Sequence, residues 1–349
     1  MTNVVSIGLP KRPNQAQRQS ALLASFAGHR RATEEVFWLK ENAELLNVLA
    51  TSGARLPRQA FDGYRQFYDN AEDRLRFFPQ YYRFILSICL DLEELGLQGA
   101  VGQALCDWVQ TQELVEGELS DLQRAEASRL VARRGGPACD PGLEDRLIRF
   151  ISHSDTFAVP NKKAAYELTH IVFYLSDYGA RSLQLPAMAV TSLEYAGLMA
   201  YLDQDVDLLA EVCVALRFSG KTPSEVWENW LAQSLSGFVL KPVTVAPAQD
   251  AYHEYLVTSW WAVLTGQQGF PGIPVPGSLE ICRYNAARGP LRAMSELMYQ
   301  LGSARGADWR QMRTVLEQAL PPEHRPILDG AAQSSPKFET FFEGFARAQ

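Results

Sequence analysis

The chain has 349 residues, 47% of them apolar and 21% charged, with a net charge of -7. That composition supplies a sizeable core and excludes wholesale disorder, collagen-like and coiled-coil classes. The charge is uneven: residues 1–31 carry Lys11, Arg12, Arg18, Arg30 and Arg31 and no acid, so the remaining chain holds all of the negative surplus, which argues against general nucleic-acid binding.

Taken in chain order, residues 1–31 read as a flexible basic arm. The apolar run at residues 4–9 is too short for a secretory signal, and its basic residues follow it. The arm has the acid-free, Ser-bearing composition of an organellar transit peptide, but a flexible or partner-contacting arm is the simpler reading. From residue 32 to 349 apolar positions recur with a period near 3.6, which predicts helix. Thr33 with Glu34 and Glu35 opens the first helix. Pro79 precedes another over 81–95, stopped at Gly96 where a left-handed residue is commonly needed. Capping boxes at Ser120/Gln123 and Thr222/Glu225 start two more, the second with Pro223 in the first helical position. Further helices are expected over 98–112, 141–152, 161–178, 187–202, 205–216, 248–264, 289–303, 308–320 and 336–347. Only residues 238–245 read extended, and Pro242 demotes them from a central strand.

The expectation is an all-α protein of about twelve helices in one large array, either a helical-hairpin repeat or an α/α-toroid of inner and outer helices. Two stretches rich in Gly and Pro interrupt it. The first, 133–141, offers a subdivision of the helical domain near residue 137, the alternative being a long loop inside one array. The second, 266–277, follows the most aromatic helix and is placed to act as a lid over a pocket. Five cysteines, odd in number and without a C-x-x-C pair, indicate neither a disulfide framework nor a thiolate zinc cage and fit a reducing cytoplasm. No uncharged apolar run reaches about 18 residues, so no membrane span is expected.

Residues 163–179, KAAYELTHIVFYLSDYG, say most about function. On a helical wheel one stripe holds Leu168, Ile171, Val172 and Leu175. The opposite stripe holds Tyr166, His170, Phe173 and Asp177, with Glu167 and Tyr174 at its margin. A surface helix would put Lys, Glu and Gln there, so this helix is expected to be packed on two sides. Ionisable groups so placed either satisfy one another or line a wet cavity, since each unsatisfied buried group costs about 1–3 kcal/mol.

The string YELTHIVFYLSDYG resembles a segment of uncharacterised bacterial all-helical proteins that are similar to α/α-toroid folds. The resemblance implies a toroid in which Tyr166, His170 and Asp177 face the central cavity.

Metal ligation follows from spacing. Glu167 and His170 form Glu-x-x-His, by which one helix presents two ligands, and Asp250 with His253 form Asp-x-x-His, with Glu211 between them. With Glu126 or Glu144 as the first carboxylate, the order matches a carboxylate-bridged di-iron bundle, although Asp250 stands where that pattern has Glu. A mononuclear zinc alternative uses His170, Cys213 and His253 on three neighbouring helices. The blander readings are a satisfied core histidine for His253, which shares its face with Leu256, Val257 and Trp260, and a buried apolar thiol for Cys213.

Other patterns fail. Asp203, Asp205 and Asp207 alternate like a calcium loop, but Leu208 and Val214 stand where Gly and Glu are required, and acids at a helix amino terminus suffice as explanation. Asp91, Glu93 and Glu94 lack the adjacent Asp pair of prenyl-diphosphate enzymes. Phosphate-cradling, dinucleotide and nucleophile-elbow motifs are missing from the sequence. The resulting expectation is a metal-assisted enzyme, using iron or zinc, on a small, partly apolar molecule. His170 serves as acid/base or ligand, Glu167 or Asp177 as orienting carboxylate, Tyr166 or Tyr174 as donor to substrate, and Trp260 and Trp261 as an apolar wall. The rival is a non-catalytic helical scaffold for a protein or peptide partner.

Overall fold

The computed structural model describes residues 13–136, 140–272, 276–284 and 288–347. Among them the chain is all-α, with seventeen helices and two short strands. In chain order these are α1 (Gln15–Gly28), α2 (Val36–Thr51), α3 (Arg65–Asp69), α4 (Ala71–Phe77), α5 (Tyr82–Glu94), α6 (Val101–Thr111), α7 (Asp121–Ala132), α8 (Leu143–Ile151) and α9 (Lys162–Leu175). There follow α10 (Ala187–Asp203), α11 (Val206–Phe218), α12 (Glu225–Ser236), β1 (Phe238–Pro242), α13 (Tyr252–Leu264), β2 (Leu279–Arg283), α14 (Leu291–Leu301), α15 (Trp309–Ala319), α16 (Arg325–Ser334) and α17 (Phe338–Ala346). No described helix is long and apolar enough to cross a membrane.

Six helices form a closed ring: α2 packs on α5, α5 on α7, α7 on α9, α9 on α11, α11 on α13, and α13 returns to α2. Residues at or just beyond the C-terminal ends of all six line one chamber, so they run in the same direction. Between successive ring members, α6, α8, α10 and α12 each pack on both neighbours from outside. The C-terminal helices α14, α16 and α17 add a further layer against α10. That explains why α10 has no polar face: it is covered on both sides and reads as apolar nearly all round.

Gly197 marks a tight contact on α10. A Cβ there would meet the ring of Trp227 at 2.5 Å, and Trp227 is itself fully enclosed. Gly197→Ala is therefore expected to cost about 1–3 kcal/mol net, overpacking outweighing the roughly 1 kcal/mol gain in helix propensity. The urea midpoint checks this; an unchanged or raised midpoint would show that the indole can yield.

Several expectations need correction. Residues 15–28 are not an arm. Asn14 and Gln17 make a reciprocal capping box, and Leu22, Leu23 and Phe26 at helical spacing bury completely. Residues 1–12, with Lys11 and Arg12, lie outside the described residues, as do Cys139 and the proposed boundary near 137. Helices α1, α3, α4 and α16 were not anticipated. The Thr222/Glu225 box is not formed: α12 begins at Glu225 after Ser224, so Pro223 precedes the helix. Ser120 does cap α7, accepting from the Gln123 amide at 3.1 Å. The extended segment is β1, paired antiparallel with an unexpected β2, with Pro242 opposite Leu279 at one end. In the 266–277 stretch, residues 273–275 are outside the described residues. The preceding part is pinned down: Phe270 is buried, its carbonyl accepts from Arg18, and the Pro271 carbonyl accepts from Tyr255. It contributes no wall to the cavity described below.

Candidate functional site

The site lies inside the ring, where α2, α9, α11 and α13 meet. Helix α11 is wedged among α9, α10, α12 and α13 and buries almost every residue, Glu211 included. One turn earlier Asp207 points to the same side, and Asp205 caps the helix by accepting from the Leu208 amide. From α13, His253 approaches Asp207, its Nδ1 lying 2.8 Å from Oδ1. From α9, His170 brings Nε2 to 3.8 Å from Glu211 Oε1. Glu44 of α2 completes the cluster, its Oε1 4.0 Å from His253 Nε2. Ligand atoms of Asp207, Glu211 and His253 all lie within 4.8 Å of one another.

A regularity runs through the three acids: each has one oxygen held by a hydroxyl and the other turned toward a histidine. Tyr166 donates to Asp207 Oδ2 at 2.9 Å, Thr169 to Glu211 Oε2 at 2.5 Å, and Tyr252 to Glu44 Oε2 at 2.8 Å. Asp207 Oδ1 takes the Nδ1 edge of His253, which leaves Nε2 of that ring for the interior. Glu44, His170, Glu211 and His253 line a cavity of about 70 Å³, large enough for an ion and a few waters. Phe173, Tyr178 and Trp260 form its apolar side, with Phe173 and Trp260 packed edge to face at 5.1 Å. The Trp260 Nε1 is buried without a partner among the described residues.

Burial sets the electrostatics. It pushes the Glu211 carboxyl up to about 8, with the Asp207 charge acting in the same direction. It would push His253 down, but the charge and hydrogen bond of Asp207, aided by the charge of Glu44, prevail and raise it to about 10. Burial also raises Asp207, and the charge of His253 with the bonds from His253 and Tyr166 outweighs it, so that carboxyl sits below its ordinary value. His170 is lowered, by burial first and by the charge of His253, and stays neutral. The cavity thus holds a neutral imidazole beside a protonated carboxyl and a charged His–Asp pair.

Of the expected site residues, Tyr166, His170, Glu211 and His253 come together. Glu167 does not: it sits beside Lys163 at 3.9 Å on the half-exposed side of α9. Asp177 also departs, because α9 ends at Leu175 and Asp177 adopts a φ of 46°, swinging to Arg129 at 2.6 Å. Asp250 precedes α13 and is taken up by Arg30, so Asp-x-x-His is not a helical pair. Cys213 is buried on the flank of α11 whose charged neighbours are Glu228 and Arg217. Glu126 pairs with Arg83, and Glu144 is exposed beside Arg181. Trp261 donates to Glu228 at 3.0 Å, away from the cavity, so Trp260 alone forms the wall. Tyr174 lies nearly parallel to His170, with ring centroids 6.0 Å apart. Asp207, Thr169 and Glu44 were missed as site residues; Asp207 had been assigned to the helix dipole.

No curated protein and no solved structure matches the chain. A family model matches residues 1–348, and the chain belongs to that family, DUF6902, a domain of unknown function.

Proposed function

We propose that this protein is a metal-assisted enzyme built on an α/α toroid, holding iron or zinc in the ring cavity and acting there on a small, partly apolar molecule. The supporting observation is the matched orientation of Glu44, Glu211 and His253, each fixed from behind by a hydroxyl or carboxylate so that one ligand atom faces the cavity. Such backing is how proteins orient metal ligands and set imidazole tautomers. Imidazole and carboxylate donors, with the ligand atoms of Asp207, Glu211 and His253 within 4.8 Å of one another and Glu44 and His170 beside them, suit a divalent first-row ion with positions left open. The ion supplies Lewis acidity to a bound water or substrate oxygen. Around it, Phe173, Tyr178 and Trp260 limit water.

Metal analysis of the purified protein, before and after anaerobic loading with iron(II) or zinc, tests this reading. One ion per chain is expected, falling to background in His253→Ala and Glu211→Ala and unchanged in Glu167→Ala and Cys213→Ser. Because the ion must displace protons from His253 and Glu211, uptake at pH 7 should release protons and weaken as the pH falls. Protein that stays metal-free after loading, or His253→Ala that keeps its ion, would remove the proposal.

A further inference from the structure

At the C-terminal ends of the six ring helices the ring opens into a chamber of about 510 Å³, within the range of small-molecule sites. Every ring helix contributes to its wall, through Ala50, Glu94, Arg129, Tyr178, Phe218 and Leu264. Tyr178 walls the inner cavity as well, and its ring packs with those of Phe173, Phe218 and Trp260 to form the partition between the two spaces. The chain turns sharply after α9: Asp177 and Tyr178 have φ of 46° and 51°, left-handed values that cost non-glycine residues free energy. Gly179 follows at 87°, and a Cβ there would strike Phe218 at 2.5 Å.

Arg129 is the unusual feature. Its side chain is 11% exposed, its Nε donates to Asp177 Oδ1 at 2.6 Å, and its guanidinium carbon lies 4.3 Å from the Tyr178 ring centroid. Its Nη1 and Nη2 make no hydrogen bond among the described residues. The neighbouring arginines are committed: Arg133 to Asp91 and Glu94, Arg134 to Glu93. Three arginines and the acids Asp91, Glu94 and Asp177 line the chamber, and the carbonyl ends of six helices oppose an anion at its centre. The Nη1 and Nη2 groups that Asp177 leaves over on Arg129 are two parallel N–H donors of the kind that match a carboxylate.

We propose that this chamber binds the carboxylate end of an amphipathic molecule at Arg129, its apolar body lying along Phe218, Leu264 and Tyr178 toward the inner cavity. Service as the entrance to the metal pocket rests on the preceding reading; carboxylate binding does not. Calorimetric titration of the metal-stripped full chain with hexanoate and with 1-hexanol tests it. Hexanoate should bind at least tenfold more tightly than 1-hexanol, and Arg129→Gln should erase that difference. Asp177→Asn, which keeps the guanidinium and removes the competing negative charge, should retain or tighten hexanoate binding. Should Arg129→Gln not fold, phenylglyoxal labelling of the wild type gives the answer, hexanoate slowing modification of Arg129 and 1-hexanol leaving it unchanged. Equal affinity for hexanoate and 1-hexanol, or labelling of Arg129 indifferent to hexanoate, overturns the proposal. The metal content of the same preparations reports separately on the inner site.

Discussion

Replacing Arg30 by methionine is expected to lower the unfolding free energy by about 3–5 kcal/mol and the melting temperature by about 4–7 °C for a chain of this length. Arg30 has a side chain fully removed from solvent. Its Nε donates to Glu41 at 2.9 Å, its Nη1 and Nη2 to the two oxygens of Asp250 at 2.9 and 3.0 Å, and Nη1 also to the Leu279 carbonyl at 2.7 Å. The guanidinium also stacks over Phe26 at 4.8 Å. Methionine preserves the packing of the stem but strands Asp250 as a buried anion, and the cost of an uncompensated charge exceeds the net worth of the pair. Glu41 keeps Arg31 at 2.8 Å, so the loss concentrates on Asp250 and on the junction it makes with β2 through the Ile281 amide. Calorimetry decides: a loss below about 1 kcal/mol would mean that water reaches Asp250 and that the network is not closed.

The second expectation concerns pH. Without metal, the protein should lose stability steadily as pH rises from 4.5 to 10. Glu211 has its carboxyl raised from 4.5 to about 8, so its contribution is complete below 4.5 and is lost as the pH climbs through 8. His253, raised from 6.5 to about 10, acts in the same direction over the higher window. Asp207, lowered from 3.8, weakens the fold only on further acidification. The slope for one fully exchanged proton approaches about 1.4 kcal/mol per pH unit. Glu211→Gln, which keeps the shape and removes the titration, should flatten the metal-free profile between pH 4.5 and 6.5, make it shallower up to 8 and leave the descent toward 10. Urea denaturation across that range measures it; parallel profiles for the two proteins would show that Glu211 is not the buried acid.

Much of the fold was legible because helix periodicity is local. Helices α5, α9, α10, α11 and α13 stand close to where their patterns put them, and Gly96, with φ of 110°, ends α5 as its position demanded. Helix α1 was legible too, in Asn14, Gln17, Leu22, Leu23 and Phe26, but the absence of acids was read as an arm. The site was half legible. His170 and Tyr166 followed from the second stripe of α9, and Glu211 and His253 from ligand spacing. Asp177 was misplaced because a wheel assumes that the helix continues, and Asp250 because the helix was started too early. Asp207 was explained away by its neighbour's role: Asp205 is the cap, whereas Asp207 turns inward. Glu44 carried no local signal, since only closure of the ring brings α2 beside α13.

That closure bears on how the protein comes into being. The first ring helix ends at Thr51 and its final neighbour begins at Tyr252, so a ribosome must deliver some two hundred residues before the seam can be sewn. Until then the nascent arc offers open apolar flanks at both ends, a state prone to wrong associations and suited to chaperone custody. Arg30 waits equally long for Asp250, so its clasp can reward only a chain already assembled around it.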